Sequence, residues 1–222
     1  ILAISLYRSN RRPAQPAPSP PASSSPAPAN ASPRHVPSTP RDATTIRTWG
    51  YQLQNLDLRR AADSPFDLIV IDPSRDGSDD GTLTNAEVAR LKTKPDGTRR
   101  LVVAYLSIGE AESYRGYWNA SWKKQKPSWL LAENPEWKEN YAVCFWDPAW
   151  QSIMCGDTGS RLDRIIAAGF DGVYLDKCDV FEDMRHRRMA EAKARPNLES
   201  DMVAFIRRIS EHAKRAKPGF LV

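Results

Sequence analysis

FDLIVID, residues 66–72, is an apolar run that ends on an acid. Side chains alternate along a strand, so Leu68, Val70 and Asp72 share one face and Ile69 and Ile71 the other. A strand apolar on both faces belongs to a parallel sheet with helices laid over it. Similar runs recur on either side: strands are expected at 49–53, 101–108 (LVVAYLSI), 141–147 (YAVCFWD) and 172–176 (GVYLD), and 219–222 begins a sixth. Helices are expected between and after them. Thr84 and Glu87 make a capping-box pattern at the start of 84–94. Gly169 suits the residue after a helix over 161–168. Met202, Phe205, Ile206 and Ile209 line one face of 198–217. The fold class is therefore α/β. Eight strand–helix units take about 250 residues, so the expectation is a (β/α)8 TIM-like barrel over 46–222, truncated on its C-terminal side with five to six strands present.

Composition narrows the function. The apolar heptad 1–7 (ILAISLY) reads either as the remnant of a signal peptide or membrane anchor, and so as a trace of a membrane tether, or as a chance run. Residues 8–45 are rich in Pro, Ala and Ser and are expected to be a disordered linker. The chain carries a formal charge of +5, and residues 1–45 hold five arginines against one aspartate, so four of the five net charges lie there. With no basic stripe in the rest, no nucleic-acid partner is expected. Oligomeric state has no signal. Cys144, Cys155 and Cys178 lack zinc-site spacing; Cys144 with Cys155 is the shorter candidate disulfide, and buried free thiols are the alternative. The three histidines, His35, His186 and His212, are expected in solvent. Residues 76–87 (DGSDDGTLTNAE) fit a calcium-loop pattern, but a strand enters them where an EF-hand needs a helix, so no metal is expected.

Acids gather where the expected strands end. Asp72, Glu110, Asp147 and Asp176 close or follow four successive strands, the edge at which parallel sheets and barrels place their sites. Any one of them has a plainer use as a helix cap or Asx-turn. Tyr51, Tyr105, Tyr174 and Trp146 lie beside them and offer flat surfaces suited to sugar rings. Paired carboxylates over such a platform point to glycoside hydrolysis.

The stretches WGYQLQ (49–54), FDLIVIDPSRDG (66–77), VVAYLSIGEAESYRGYW (102–118), NPEWKENYAVCFWDPAW (134–150) and GFDGVYLDKCD (169–179) resemble glycoside hydrolase family 114, the endo-alpha-1,4-polygalactosaminidase type. The resemblance implies a TIM-like barrel, secreted or cell-surface, that cuts galactosamine-containing polysaccharide without metal or organic cofactor. It assigns Asp176 as the catalytic aspartate and nucleophile of a retaining reaction, with its partner a glutamate after the sixth strand, beyond Val222. Glu110 is the best second carboxylate inside the chain, for substrate binding or as proton donor. Asp72, Asp147 and Asp179 are further contacts for the sugar ammonium, and Glu112 with Arg115 is either part of that group or a structural pair. The alternative is a barrel that binds cationic polysaccharide without cutting it.

Overall fold

The computed structural model describes residues 43–156 and 158–222. The heptad 1–7 and most of the linker expected over 8–45 lie outside the described residues; Ala43–Thr45, at the linker's end, forms a 3-10 turn. In chain order the elements are β1 (Trp49–Gln52), α1 (Leu58–Asp63), β2 (Leu68–Ile71), α2 (Asn85–Leu91), β3 (Leu101–Ser107), β4 (Glu110–Glu112), β5 (Leu130–Glu133), β6 (Asn140–Val143), α3 (Pro148–Met154), α4 (Arg161–Ala167), β7 (Gly172–Asp176), α5 (Val180–His186), α6 (Ala190–Lys193) and α7 (Leu198–Ala216). No helix among the described residues is long and apolar enough to cross a membrane.

Four strands, in the order β1-β2-β3-β7, form a parallel sheet. Leu221 bridges Gly172 in parallel, so the sheet begins to extend past β7 where a sixth strand is expected. Alternation works as the sequence implies. Ile69, Ile71, Val102, Ala104, Leu106 and Val173 face the helices and join Val88 and Leu91 of α2, Leu162 and Ile165 of α4, and Met202, Phe205 and Ile209 of α7 in one core. The opposite face carries the small cluster Val70, Val103 and Tyr105. Beside it Trp49, Tyr51 and Tyr174 remain 49%, 49% and 42% exposed.

The strand expected at 141–147 needs correction. Its first residues lie in β6, which pairs antiparallel with β4 and β5 in a separate three-stranded sheet. β3 already has β2 and β7 on its two edges, so it has no free ladder for this segment. After Val143 the chain turns into α3, because Asp147 accepts a hydrogen bond from the Ala149 amide and Pro148 takes the first helical position. The aromatic connection before it packs into the same lobe, with Trp118 against Trp122 and Tyr141, and Trp129 between Trp122 and Trp150. α2 has the expected capping box but stops at Leu91 rather than 94, since Thr93 bridges Arg99 and Lys94 turns onto Asp67. Of the three histidines expected in solvent, His186 is exposed and His35 lies outside the described residues, while His212 is half-buried: its Nε2 lies 2.6 Å from Asp163 Oδ1, linking α7 to α4.

Arg100, the residue before β3, is 0% exposed. Burial pushes its pKa below the ordinary guanidinium value. Its charge is held by carbonyls: it donates to Phe66 at 3.0 Å, Ala61 at 2.6 Å, Leu91 at 3.2 Å, Ala62 at 3.4 Å, and to Ser64. These include carbonyls in the last turns of α1 and α2, the negative end of each helix dipole; Ala61 is also capped by the Ser64 amide and hydroxyl. Arg100→Leu strands several buried acceptors at once, each worth about 1 kcal/mol or more. The expected loss is about 3 kcal/mol in urea unfolding, with Arg100→Lys intermediate; a loss under about 1 kcal/mol would contradict this role.

Candidate active site

Register builds the site. Tyr105 pairs with Tyr174 and Ser107 with Asp176, so all four sit on the face away from the helices, at the carboxyl ends of β3 and β7. Tyr51 pairs with Val70 on that same face. Tyr105 Oη donates to Asp176 Oδ2 at 2.6 Å. Burial, then Glu112 and Asp176, raise the Tyr105 pKa far above the ordinary phenol value, so it stays protonated and remains a donor. The rings of Tyr51 and Tyr174 meet edge to face at 5.7 Å, and Trp49 extends the row to Tyr51 at 6.4 Å. Asp176 is half-buried, while Tyr51 and Tyr174 stay exposed.

Arg115 organises the acids behind this surface. Its Nη1 and Nη2 reach the two oxygens of Asp72 at 2.8 Å each, and its Nε lies 2.7 Å from Glu112 Oε2. The guanidinium also lies over the rings of Tyr105, at 5.9 Å, and Tyr114, at 5.1 Å. Glu112 accepts the Tyr114 hydroxyl as well. Burial opposes the Arg115 charge, but Glu112 and Asp72 outweigh it and raise its pKa. Glu112 and Arg115 are therefore a structural pair, and Asp72, expected as a contact for a substrate ammonium, is occupied by an internal cation.

Glu110 is 3% exposed. Its Oε1 accepts from Asn134 Nδ2 at 2.8 Å and lies 3.1 Å from Lys177 Nζ. Burial is the largest influence and raises its pKa, while Lys177 and Asn134 pull it down. Asp179 starts α5, is exposed, and makes no side-chain cap bond. Trp146 and Asp147 are not drawn into this group by a parallel strand. Trp146 packs on Phe145 at 5.0 Å and under Arg195 at 5.1 Å, on the helix-side core, and Asp147 caps α3.

The calcium-like stretch is tied up internally. Asp76 Oδ1 accepts from the Ser78 amide and hydroxyl and from Ser74, and Glu87 pairs with Thr84 and Arg75. Cys144, Cys155 and Cys178 are all free thiols, which replaces the candidate Cys144–Cys155 disulfide. Burial raises the thiol pKa of Cys155 and of Cys178 to about 11 each. Sequence reasoning missed Asn134 and Lys177; the one local signal was that Lys177 directly follows the strand-ending Asp176.

Comparison with known proteins bears on family and fold. The family model for glycoside-hydrolase family GH114 matches residues 25–220. An uncharacterized protein of Deinococcus radiodurans is 41% identical over 197 residues, covering 86% of this chain and 58% of its own. Another, from Thermotoga maritima, is 38% identical over 174 residues, covering 78% and 50%. The chain thus spans about half the length of these relatives. Among solved structures, Aspergillus fumigatus Ega3 in complex with galactosamine aligns with TM-score 0.53 at 20% identity, over 78% of this chain and 57% of that one. The glycoside hydrolase domain of PelA from Pseudomonas aeruginosa aligns with TM-score 0.51 at 18% identity, over 79% and 58%. The likeness to these two structures is one of fold.

Removing one partner of a buried ion pair leaves an uncompensated charge, at a cost of about 3 to 5 kcal/mol. Arg115→Met, which strands both Asp72 and Glu112, is expected to lose at least about 3 kcal/mol in chemical unfolding at neutral pH. A loss below about 1 kcal/mol would show that the acids find another cation.

Proposed function

The chain belongs to glycoside-hydrolase family GH114, and from that premise we propose that it acts on alpha-1,4-linked galactosamine polymers with Asp176 as its nucleophile. The observation that carries the reading is Asp176 itself. It ends β7 at the carboxyl edge of the parallel sheet, one oxygen is fixed by Tyr105, and the exposed rings of Tyr51 and Tyr174 adjoin it. Such rings suit the apolar face of a pyranose, and the fixed carboxylate suits attack at its anomeric carbon.

Charge accounting favours a cationic sugar. Arg115 neutralises Asp72 and Glu112 in part, and Lys177 pairs with Glu110. Among the described residues, no ion pair engages Asp176 or Asp179. A galactosamine ammonium entering beside these two acids gains attraction that a neutral N-acetyl sugar does not.

The proposed reaction is a two-step displacement with retention. Asp176 attacks the anomeric carbon and forms a covalent glycosyl-enzyme, while a second carboxylic acid protonates the departing glycosidic oxygen; that residue then takes a proton from the water that hydrolyses the ester. Retention requires the two carboxyls to be about 5 to 5.5 Å apart. We assign the second acid to a glutamate after the sixth strand, in a (β/α)8 barrel of which this parallel sheet supplies four strands. A secreted or cell-surface location accords with a polymeric substrate.

The test is Asp176→Asn in the protein at the length of its relatives, assayed on polygalactosamine by product mass. Loss of a nucleophile is expected to lower kcat by about a thousandfold or more. Cleavage at the wild-type rate would refute the assignment.

A further inference from the structure

Three chain segments meet directly behind Asp176. Lys177, the next residue, has φ 59, a left-handed conformation uncommon for a residue with a side chain. Its carbonyl accepts from the Val180 amide at 3.2 Å, which starts α5. On the neighbouring β3–β4 turn, the Ile108 amide donates to the Asp176 carbonyl at 3.1 Å. Gly109 passes so close that a Cβ there would sit 2.1 Å from the Lys177 carbonyl oxygen, so only glycine permits the approach. The Lys177 side chain turns back to the same β3–β4 turn and places its ammonium 3.1 Å from Glu110. Asn134, from the connection between β5 and β6, holds the same carboxylate oxygen at 2.8 Å, and Ser107 Oγ donates to the Glu110 carbonyl at 3.0 Å.

We propose that Glu110 and Lys177 are positioning residues, an internal carboxylate–ammonium pair that locks the turn after Asp176 against the β3–β4 turn and so fixes where the nucleophile points. The inference rests on the reading of Asp176 as the nucleophile. It gives Glu110 a different task from receiving the sugar's amine, because Lys177 already supplies an ammonium there. Exposure supports this division: the Glu110 side chain is 4% exposed, whereas that of Lys177 is 25% exposed, so the acid is the inner member of the pair. A group holding substrate would lie the other way round, with its acid open and its cation behind. The pair also joins segments 67 positions apart in sequence, which a merely local turn does not need.

Two substitutions separate the pair's charge from its backbone. Glu110→Gln keeps the shape and an acceptor for Asn134 but removes the charge. Lys177→Gly keeps the left-handed turn, which glycine adopts freely, and removes the ammonium. In the full-length protein acting on polygalactosamine, each is expected to lower kcat by about ten- to a hundredfold, the scale of a small misplacement of a reacting group, with KM changed less than about twofold. The double variant is expected to be no slower than the worse single one, because the two act as a unit. Lys177→Arg should recover most of the rate.

Stability provides a control that distinguishes positioning from general support. Burial raises the Glu110 pKa in the fold, so ionising it there opposes folding as pH rises above the ordinary carboxylate range. Glu110→Gln is expected to unfold close to the wild-type temperature at neutral pH while losing activity, because Lys177, 25% exposed, turns its ammonium to water and is not left as a buried unpaired charge. Hydrogen exchange reads the lock without any substrate. The Ile108 amide of Glu110→Gln should exchange about tenfold faster than that of the wild type, and an unchanged rate would overturn the proposal. A rise in KM with kcat kept would also overturn it, by showing that the pair binds sugar. A wild-type protein that leaves polygalactosamine uncut would defeat the functional reading alone, and Ile108 exchange would still decide the pair.

Discussion

The parallel pairing of β3 with β7 is the constraint on which the rest of the site depends. β3 is buried along its whole length, with β2 on one edge and β7 on the other, so its register has little freedom. A slip of one residue would turn every side chain of β7 to the opposite face, moving Asp176 and Tyr174 into the helix-side core and Val173 and Leu175 into the site. That core penalises the slip through the burial it would lose. The Tyr105 to Asp176 bond and the Ile108 to Asp176 backbone bond are available only in the observed register. Arg100 anchors the other end of β3, drawing the ends of α1 and α2 down to the strand.

Electrostatics refine what register assembles. Two internal cations sit among the carboxylates of this region. Arg115 lies between Asp72 and Glu112 and against Tyr105, so it supports the phenol that holds Asp176. Lys177 plays a comparable part toward Glu110. Both cations are paired inside the protein, Arg115 with Asp72 and Glu112 and Lys177 with Glu110. Asp176 is held by the Tyr105 hydroxyl, while Tyr51 and Tyr174 beside it stay exposed.

The apolar alternation of FDLIVID and LVVAYLSI was enough to read the parallel sheet, and that of GVYLD (172–176) the face that carries Asp176, because a period of two survives whatever lies around it. The capping box at Thr84 was legible for the same local reason. YAVCFWD was misread as a strand of the barrel: an apolar run states that a strand is buried, not which neighbour it pairs with. Its Asp147-Pro148 junction was a helix-start signal that outweighed the apolar residues before it. Trp146 and Asp147 dropped out of the site for that reason. The pairs Asp72–Arg115 and Glu110–Lys177 span 43 and 67 positions, and no local pattern ties such distant residues together. Likewise His212 looked solvated on a charged helix until α4 brought Asp163 to it.

The most direct test of the central claim is to trap the covalent intermediate. A 5-fluoro glycosyl fluoride of galactosamine, incubated with the full-length protein, would slow breakdown of the glycosyl-enzyme enough for peptide mapping by mass spectrometry. One sugar attached to the carboxylate of Asp176 is the result this account predicts. A label on another carboxylate, or turnover of the polymer with inversion at the anomeric carbon, would contradict it.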